Sequence, residues 1–537
     1  MKREYFLKGY IYSESAYFFR TFFVSVLLFI KHPRLYCDLK KSMDSRNEKY
    51  SFFVALEENN TYIDKSMKKC YNIFEDSYDL EVKKMKAKYL MAFFVLIVSL
   101  MLVCCENEVP TLTPESTITI PEVTHQTKEQ TPTPTPTLAP PETKITGVPI
   151  IKITTSDGAK IPDDKSYVTC KVSLDCSVDA FCANELEADI RVRGNGSLSV
   201  GRQFGKFSYK LKFENKINPF GLGEVKSKDW ALISDHSDRT MLRNYAAKRL
   251  GDMLEGIPYS PNTMHVQVFL NGEFMGLYGL SEMVEVGDGR VDVDDSCALR
   301  EIGFLVELDH YAGNDPNDIY FKVGSNKYTV KSEVNSDEQL GYIKEYIAYV
   351  DNAISLGNRN AIEKLVDVDS LVDMYILQEY LKNADAGYSS FFMSKDIGGK
   401  LTFTAPWDFD LSTGNDDRVD NGAYHMIYVG LGRPGYMQNH HWYIKLYSLG
   451  WFRQMVKERW NELSDTVIED LIQEIETKAQ SLTQPLMANF TRWCLPARKF
   501  QQEPMHVYKL KTSKEHTEYL ISWMKDRKEW LDGYWNL

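Results

Sequence analysis

The chain has 537 residues, 43% of them hydrophobic and 26% charged, a composition that suits one large or two medium folded domains. Its 75 acidic residues outnumber 63 Lys and Arg, and the resulting charge of −12 argues against a nucleic-acid binder, whose electrostatic footprint is basic. Aromatic residues reach 13%, with 32 Tyr, as expected of a large mixed sheet with substantial rims and clefts.

The first hundred residues differ from the rest. Residues 17–30 form an apolar patch, but Arg20 interrupts it, so an interfacial or spurious segment is expected there rather than a membrane span. Met85-Lys-Ala-Lys88 is followed by an apolar run over 89–103 and then by Cys104-Cys105. That order is a basic n-region, an h-region and a processing site. It predicts a bacterial lipoprotein signal with Cys105 lipidated, although Cys104 stands where a small residue is usual. An uncleaved anchor is the alternative, and the run is short of the roughly 20 apolar residues that a span needs. Because such a signal does not normally begin at residue 85, Met85 is the expected start and residues 1–84 an upstream extension. Segment 85–105 is then the signal or anchor. Residues 106–146, rich in Pro and Thr, are an extended linker that cannot bury a core. The remaining 147–537 is the folded domain, expected outside the cytoplasm and anchored to the bacterial cell membrane. It holds Cys170, Cys176, Cys182, Cys297 and Cys494, an odd number that predicts mainly buried thiols with at most one bridge.

Strands are predicted at 149–154 and 167–172. Arg191-Val-Arg-Gly-Asn-Gly-Ser197, with Gly201 and Gly205 beyond it, reads as a glycine-rich turn between strands, either a phosphate-covering loop or a mobile hairpin tip. Residues 206–213 (KFSYKLKF) alternate strictly, which sets Lys206, Ser208, Lys210 and Lys212 on one face. A glycine loop followed by a lysine strand is the order protein kinases use to hold nucleotide phosphates. A helix is predicted from Ser237 or Asp238 to about Leu254. Asn271-Gly272 between two β-like runs predicts a type I′ hairpin. Residues 303–309 (GFLVELD) read as a strand bearing two acids, and 336–383 and 443–537 as mostly helical.

The acids Asp385, Asp408 and Asp410 carry the functional reading. Residues 371–381 have helix-like apolar spacing, so Asp385 falls just past a helix end. Short strands are predicted at 391–393 and 401–403, and Asp408 leaves the second, 408 − 385 = 23 residues after Asp385. Phosphoryl transfer needs one carboxylate to orient the attacking hydroxyl and another to hold magnesium. In that scheme Asp385 is the catalytic acid, Asp408 and Asp410 bind Mg2+, Lys210 or Lys212 neutralises the phosphates of ATP, and the 193–205 loop covers them. The insert at about 411–442, with His440-His441, reads as an activation-segment analogue or a surface loop.

Arg193-Gly-Asn-Gly-Ser197, Tyr209-Lys210, Ser237-Asp-Arg-Thr-Met-Leu-Arg-Asn244, the hairpin at 268–278, Glu282, Asn383-Ala-Asp385 and Trp407-Asp-Phe-Asp410 together resemble the spore coat protein H (CotH) kinase family. The resemblance spans roughly 147–450. It implies an α+β, atypical protein-kinase-like fold with a β-rich N-terminal lobe and a helical C-terminal lobe. It also implies ATP- and magnesium-dependent phosphorylation of Ser or Thr in secreted or surface proteins, with Arg193, Lys210, Lys212 and Glu282 at the nucleotide. One departure stands out. Protein kinases place a metal-binding Asn five residues after the catalytic Asp, and here that position is Ser390. Two other readings are open: a weak or inactive kinase-like scaffold that binds surface proteins or glycans, and a carboxylate-pair glycosidase.

Overall fold

Inward-facing apolar residues at every second position build the first half of the fold. Ile151 and Ile153, Val172 and Leu174, Ile190 and Val192, Leu211 and Phe213, and Trp230 and Leu232 are all buried, as half-buried strands require. The computed structural model describes residues 147–175, 185–419, 422–426 and 441–536. The apolar run at 89–103, Cys105, the 106–146 linker, Cys176, Cys182 and His440 lie outside the described residues.

The strands β1 (Ile150–Thr155), β2 (Val168–Asp175), β3 (Leu186–Val192), β4 (Tyr209–Ile217), β5 (Ser227–Ile233), β6 (Thr263–Leu270) and β7 (Glu273–Glu282) form a closed barrel in the order β1-β2-β3-β4-β5-β7-β6. Closure comes from a parallel pairing of β1 with β6, whose register aligns Ile150 with Gln267. The hairpin between β6 and β7 turns at Asn271 and Gly272, with φ of 51° and 81°, the pair of positive values that a type I′ turn demands.

Between β3 and β4 the glycine-rich segment is not a hairpin tip. It is a helix, α1 (Gly196–Phe204), closed by left-handed Gly205 at φ 90°. Gly201 fits there because a Cβ would stand 2.4 Å from the Phe207 ring. The expected lysine face is corrected too. Lys206 is fully buried ahead of β4 and donates to the carbonyls of Ser234 and Leu277, each at 2.7 Å, and to Asn489 Oδ1 at 3.1 Å.

The helix expected from Ser237 starts later, as α2 (Arg243–Met253). Asp238 holds its first turn from outside, accepting the Arg243 backbone N–H at 2.9 Å. A second, five-stranded sheet follows: β8 (Phe304–Leu308), β9 (Tyr320–Val323), β10 (Asn326–Val330), β11 (Phe391–Lys395) and β12 (Thr402–Thr404), ordered β12-β11-β8-β10-β9.

The second half is helical. It comprises α3 (Asp337–Leu356), α4 (Arg359–Leu365), α5 (Val368–Leu381), α6 (His441–Ser448), α7 (Gly450–Leu463), α8 (Glu469–Ser481), α9 (Thr483–Trp493), the short α10 (Met505–Tyr508) and α11 (Ser513–Asn536). Its core runs through Tyr375, Tyr380, Trp460 and Met524, all nearly inaccessible. Each fully buried large apolar side chain there contributes about 1.5–3 kcal/mol. The α+β class expected from the sequence is observed. Among the described residues no helix is long and apolar enough to cross a membrane. Cys170 is a buried thiol as expected, but Cys297 is only half-buried and Cys494 is exposed, both unpaired.

Candidate active site

A small apolar cluster ties the barrel to the second sheet. Ala231 of β5, Leu305 of β8 and Phe392 of β11 meet Trp407 and Ala405. Trp407 and Phe392 also line a cleft of about 840 Å³. Into this cleft the chain brings Arg193, Asp385, Asp408 and Asp410. Three of the four arrive by backbone devices that can be traced.

Helix α5 is buried along most of its length and stops at Lys382, which takes a left-handed φ of 53°. Asn383 then folds back, its Oδ1 accepting the Asp385 N–H at 3.1 Å, so Asp385 projects just past the helix end. The helix is fixed by an ion pair between Glu379 and Arg527 of α11 at 2.8 Å, both side chains fully buried. Asp385 itself is gripped by Arg418, with Nη1 2.8 Å from Oδ1 and Nη2 3.0 Å from Oδ2.

After β12 the chain turns sharply, with Ala405 at φ 54° and Asp408 at φ 67°, a region that non-glycine residues seldom occupy and that is maintained only where the surroundings impose it. Here Phe409 supplies that constraint. Its ring is 1% exposed, and its N–H is held by Asn244 Oδ1 at 2.7 Å. Burying Phe409 turns both flanking carboxylates toward the cleft. Asn244 in turn donates to Asp235 Oδ1 at 2.6 Å.

These acids sit close enough to disturb one another. Burial raises the Asp408 pKa, and the charge of Asp385 raises it further, while Arg193 pulls it back. Asp410 is pushed well above the ordinary carboxylate range, first by burial and then by Asp408 and Asp235. Asp408 is exposed and lines the cleft. Like charges held this close favour a bound cation or a retained proton.

Other sequence-predicted residues lie elsewhere. Lys210, on the outer face of β4, pairs with Asp229 at 3.1 Å, and Lys212 is solvent-exposed. Glu282 is buried at the end of β7, where it accepts from the Asn262 N–H at 2.8 Å and Nδ2 at 3.0 Å. None of the three lines the cleft. Arg193 does, with its guanidinium 5.2 Å from the centre of the Trp407 ring. The segment at 196–204 also borders it, as the helix α1 rather than as a loop.

Sequence reasoning missed Lys248. This buried α2 lysine lies 4.4 Å from the Trp407 ring centre and bonds Ser281 Oγ at 2.8 Å, and it faces a second cavity of about 340 Å³ rather than the cleft. Burial lowers its pKa to about 7, against the opposing charge of Asp235. In the sequence it is one of several basic residues on an amphipathic helix, and nothing in the spacing distinguishes it. Arg418, also missed, sits in the Gly-Asn-Asp-Asp-Arg stretch already marked as an insert.

Among the described residues no three His, Cys, Asp or Glu side chains are grouped as ligands of one ion. Magnesium does not require such a cage, since it is commonly held by one or two carboxylates together with waters and substrate phosphates. The adjacent Asp408 and Asp410 carboxylates, both driven toward protonation by burial, with Asp385 adding to it at Asp408 and Asp408 at Asp410, fit that donor set. Ser390, at φ 59°, places its hydroxyl 3.4 Å from Asp408 Oδ2.

A barrel joined to an antiparallel sheet, with carboxylates on two separate turns and an arginine meeting over one cleft, is an arrangement suited to group transfer from an anionic substrate. Residues 190–531 match the family model described as CotH kinase protein, and the chain belongs to that family. No curated protein matches it.

Proposed function

We propose that this chain is an atypical protein kinase that moves the γ-phosphoryl group of ATP to Ser or Thr hydroxyls of secreted or surface proteins. In this reading the barrel half stands as the N-terminal lobe and the helical half as the C-terminal lobe. The observation that carries it is the convergence of Asp385, Asp408, Asp410 and Arg193 on one cleft. The apolar side chains of Ile233, Met283, Val284 and Phe392 on the same cleft suit the flat face of a purine.

Asp385 orients the acceptor hydroxyl and takes its proton as the hydroxyl oxygen bonds to the γ-phosphorus. The bond to the β,γ-bridging oxygen breaks, and ADP leaves with that electron pair. Arg193 supports the charge that spreads over the phosphoryl oxygens. Asp408 and Asp410 would hold Mg2+, which would supply charge neutralisation at the phosphates. The sequence order of signal, linker and domain supports action outside the cytoplasm, anchored at the membrane.

A second reading, a non-catalytic scaffold, is favoured by Ser390, whose neutral hydroxyl is a weaker metal ligand than the amide usual there. Calorimetry of ATP with and without Mg2+ separates the two. The kinase reading expects magnesium-dependent binding that D408N weakens tenfold or more. No heat at millimolar nucleotide leaves the scaffold.

A further inference from the structure

The stretch after Asp410 is built into the protein rather than draped over it. Arg243 of α2 donates to the carbonyls of Ser412 at 3.0 Å and Thr413 at 3.2 Å. Tyr519 of α11 donates to the Gly414 carbonyl at 3.1 Å, and Asn415 Nδ2 to the Asp410 carbonyl at 2.8 Å. The stretch therefore presents Asp416, whose side chain is 2% exposed, at a fixed place. Asp416 takes the Arg418 N–H at 2.8 Å and Nε at 3.0 and 2.9 Å on its two oxygens. The far edge of the same guanidinium faces Asp385, with Nη2 donating to Oδ2 at 3.0 Å and Nη1 ion-paired with Oδ1 at 2.8 Å.

We propose that Arg418 is a positioning residue for phosphoryl transfer: anchored by Asp416, its planar fork fixes the carboxylate of Asp385 in the orientation that receives the acceptor hydroxyl. This inference rests on the kinase reading of the cleft. Three features support positioning over direct contact with phosphate. First, both edges of the guanidinium are committed to carboxylates, so gripping a phosphate would require releasing one. Second, Asp385 Oδ2 takes one N–H and keeps lone-pair capacity for a hydroxyl, so the clamp does not block the role assigned to it. Third, Asp385 stands on a short turn past α5, where its carboxylate would otherwise rotate, and reaction rates depend steeply on such alignment, with about 1 Å of misplacement able to cost 10²-fold. Lysine cannot reproduce the effect, because a single ammonium lacks the fork that engages two carboxylates in a plane.

Phosphate transfer to dephosphorylated casein is measured at varied ATP for the full-length wild type, R418M/D416N and R418K. The double variant removes Arg418 together with Asp416, the more buried of its two partners at 2% exposed, and leaves Asp385, at 23%, open to solvent. It is expected to lose at least 30-fold in kcat with KM for ATP within twofold, and R418K is expected to remain at least fivefold down. A double variant with wild-type kcat overturns the inference, as does a raised KM for ATP with kcat intact. So does R418K at the wild-type rate, since charge alone would then suffice. If the double variant fails to fold by thermal melt, R418K decides by the same criterion. A wild type that transfers no phosphate overturns the kinase reading itself, whereas an active wild type with indifferent variants overturns only this inference.

Discussion

Replacing His236 by phenylalanine isolates the effect of a buried neutral imidazole on pH-dependent stability. His236 is 3% exposed, and its ring lies 5.0 Å from Phe500, 5.3 Å from Phe204 and 5.8 Å from Trp493, centre to centre. Neither ring nitrogen has a hydrogen-bond partner. Burial, helped by the charges of Lys206, Arg498 and Arg239, lowers its pKa from 6.5 to about 2. The unfolded chain therefore binds a proton that the folded chain refuses, between pH 6.5 and about 2, and stability falls as pH drops through that window. At about 1.36 kcal/mol per pH unit below the unfolded pKa, this residue alone removes about 2 kcal/mol of stability between pH 7.5 and 5.0. H236F abolishes that contribution while keeping the aromatic contacts. Overpacking by the larger ring shifts the variant's stability by an amount independent of pH, so the relevant quantity is the change in the gap between variant and wild type. Urea denaturation at pH 7.5 and pH 5.0 measures it. The gap should move about 2 kcal/mol in favour of H236F at the lower pH. A gap that does not change with pH would refute the reasoning and show that the imidazole titrates normally.

Other outcomes follow from single contacts. G201A places a Cβ 2.4 Å from the Phe207 ring, so it should destabilise the protein by about 1–3 kcal/mol in the same assay. R527M leaves Glu379 charged and fully buried, and should cost about 3–5 kcal/mol, read as a lower urea midpoint with unchanged m. S390N puts an amide where φ is 59°, a conformation that Asn tolerates better than Ser, and should lower the Mg2+ concentration for half-maximal transfer several-fold. An unchanged magnesium requirement would detach Ser390 from the metal.

The parts of the fold legible in the sequence are those set by local chemistry. The Asn271-Gly272 hairpin, the pair β11 and β12, and the end of α5 all appear where turn residues and apolar spacing put them. Asp385, Asp408 and Asp410 reached one cleft because short connections carry them there. Misses came from long-range packing. Barrel closure depends on β1 meeting β6, more than a hundred residues away, and no local pattern reports it. Gly-Asn-Gly-Ser reads as a loop, yet tight packing at Gly201 and the cap at Gly205 make it part of a helix. Strand alternation assigned Lys210 and Lys212 correctly to one face of β4, but that face lies outside the cleft and pairs Lys210 with Asp229. A lysine or arginine acts through whichever carboxylate the tertiary fold brings near, which is why Lys248 and Arg418 were unmarked in the sequence.

In the proposed mechanism two carboxylates from separate turns divide the work of phosphoryl transfer in one cleft. Transfer of labelled γ-phosphate from ATP by the full-length chain, compared with D385N and D408N variants of unchanged melting temperature, tests it most directly. The prediction is magnesium-dependent incorporation by the wild type that falls at least 100-fold in each variant. Undiminished incorporation by both variants would contradict it.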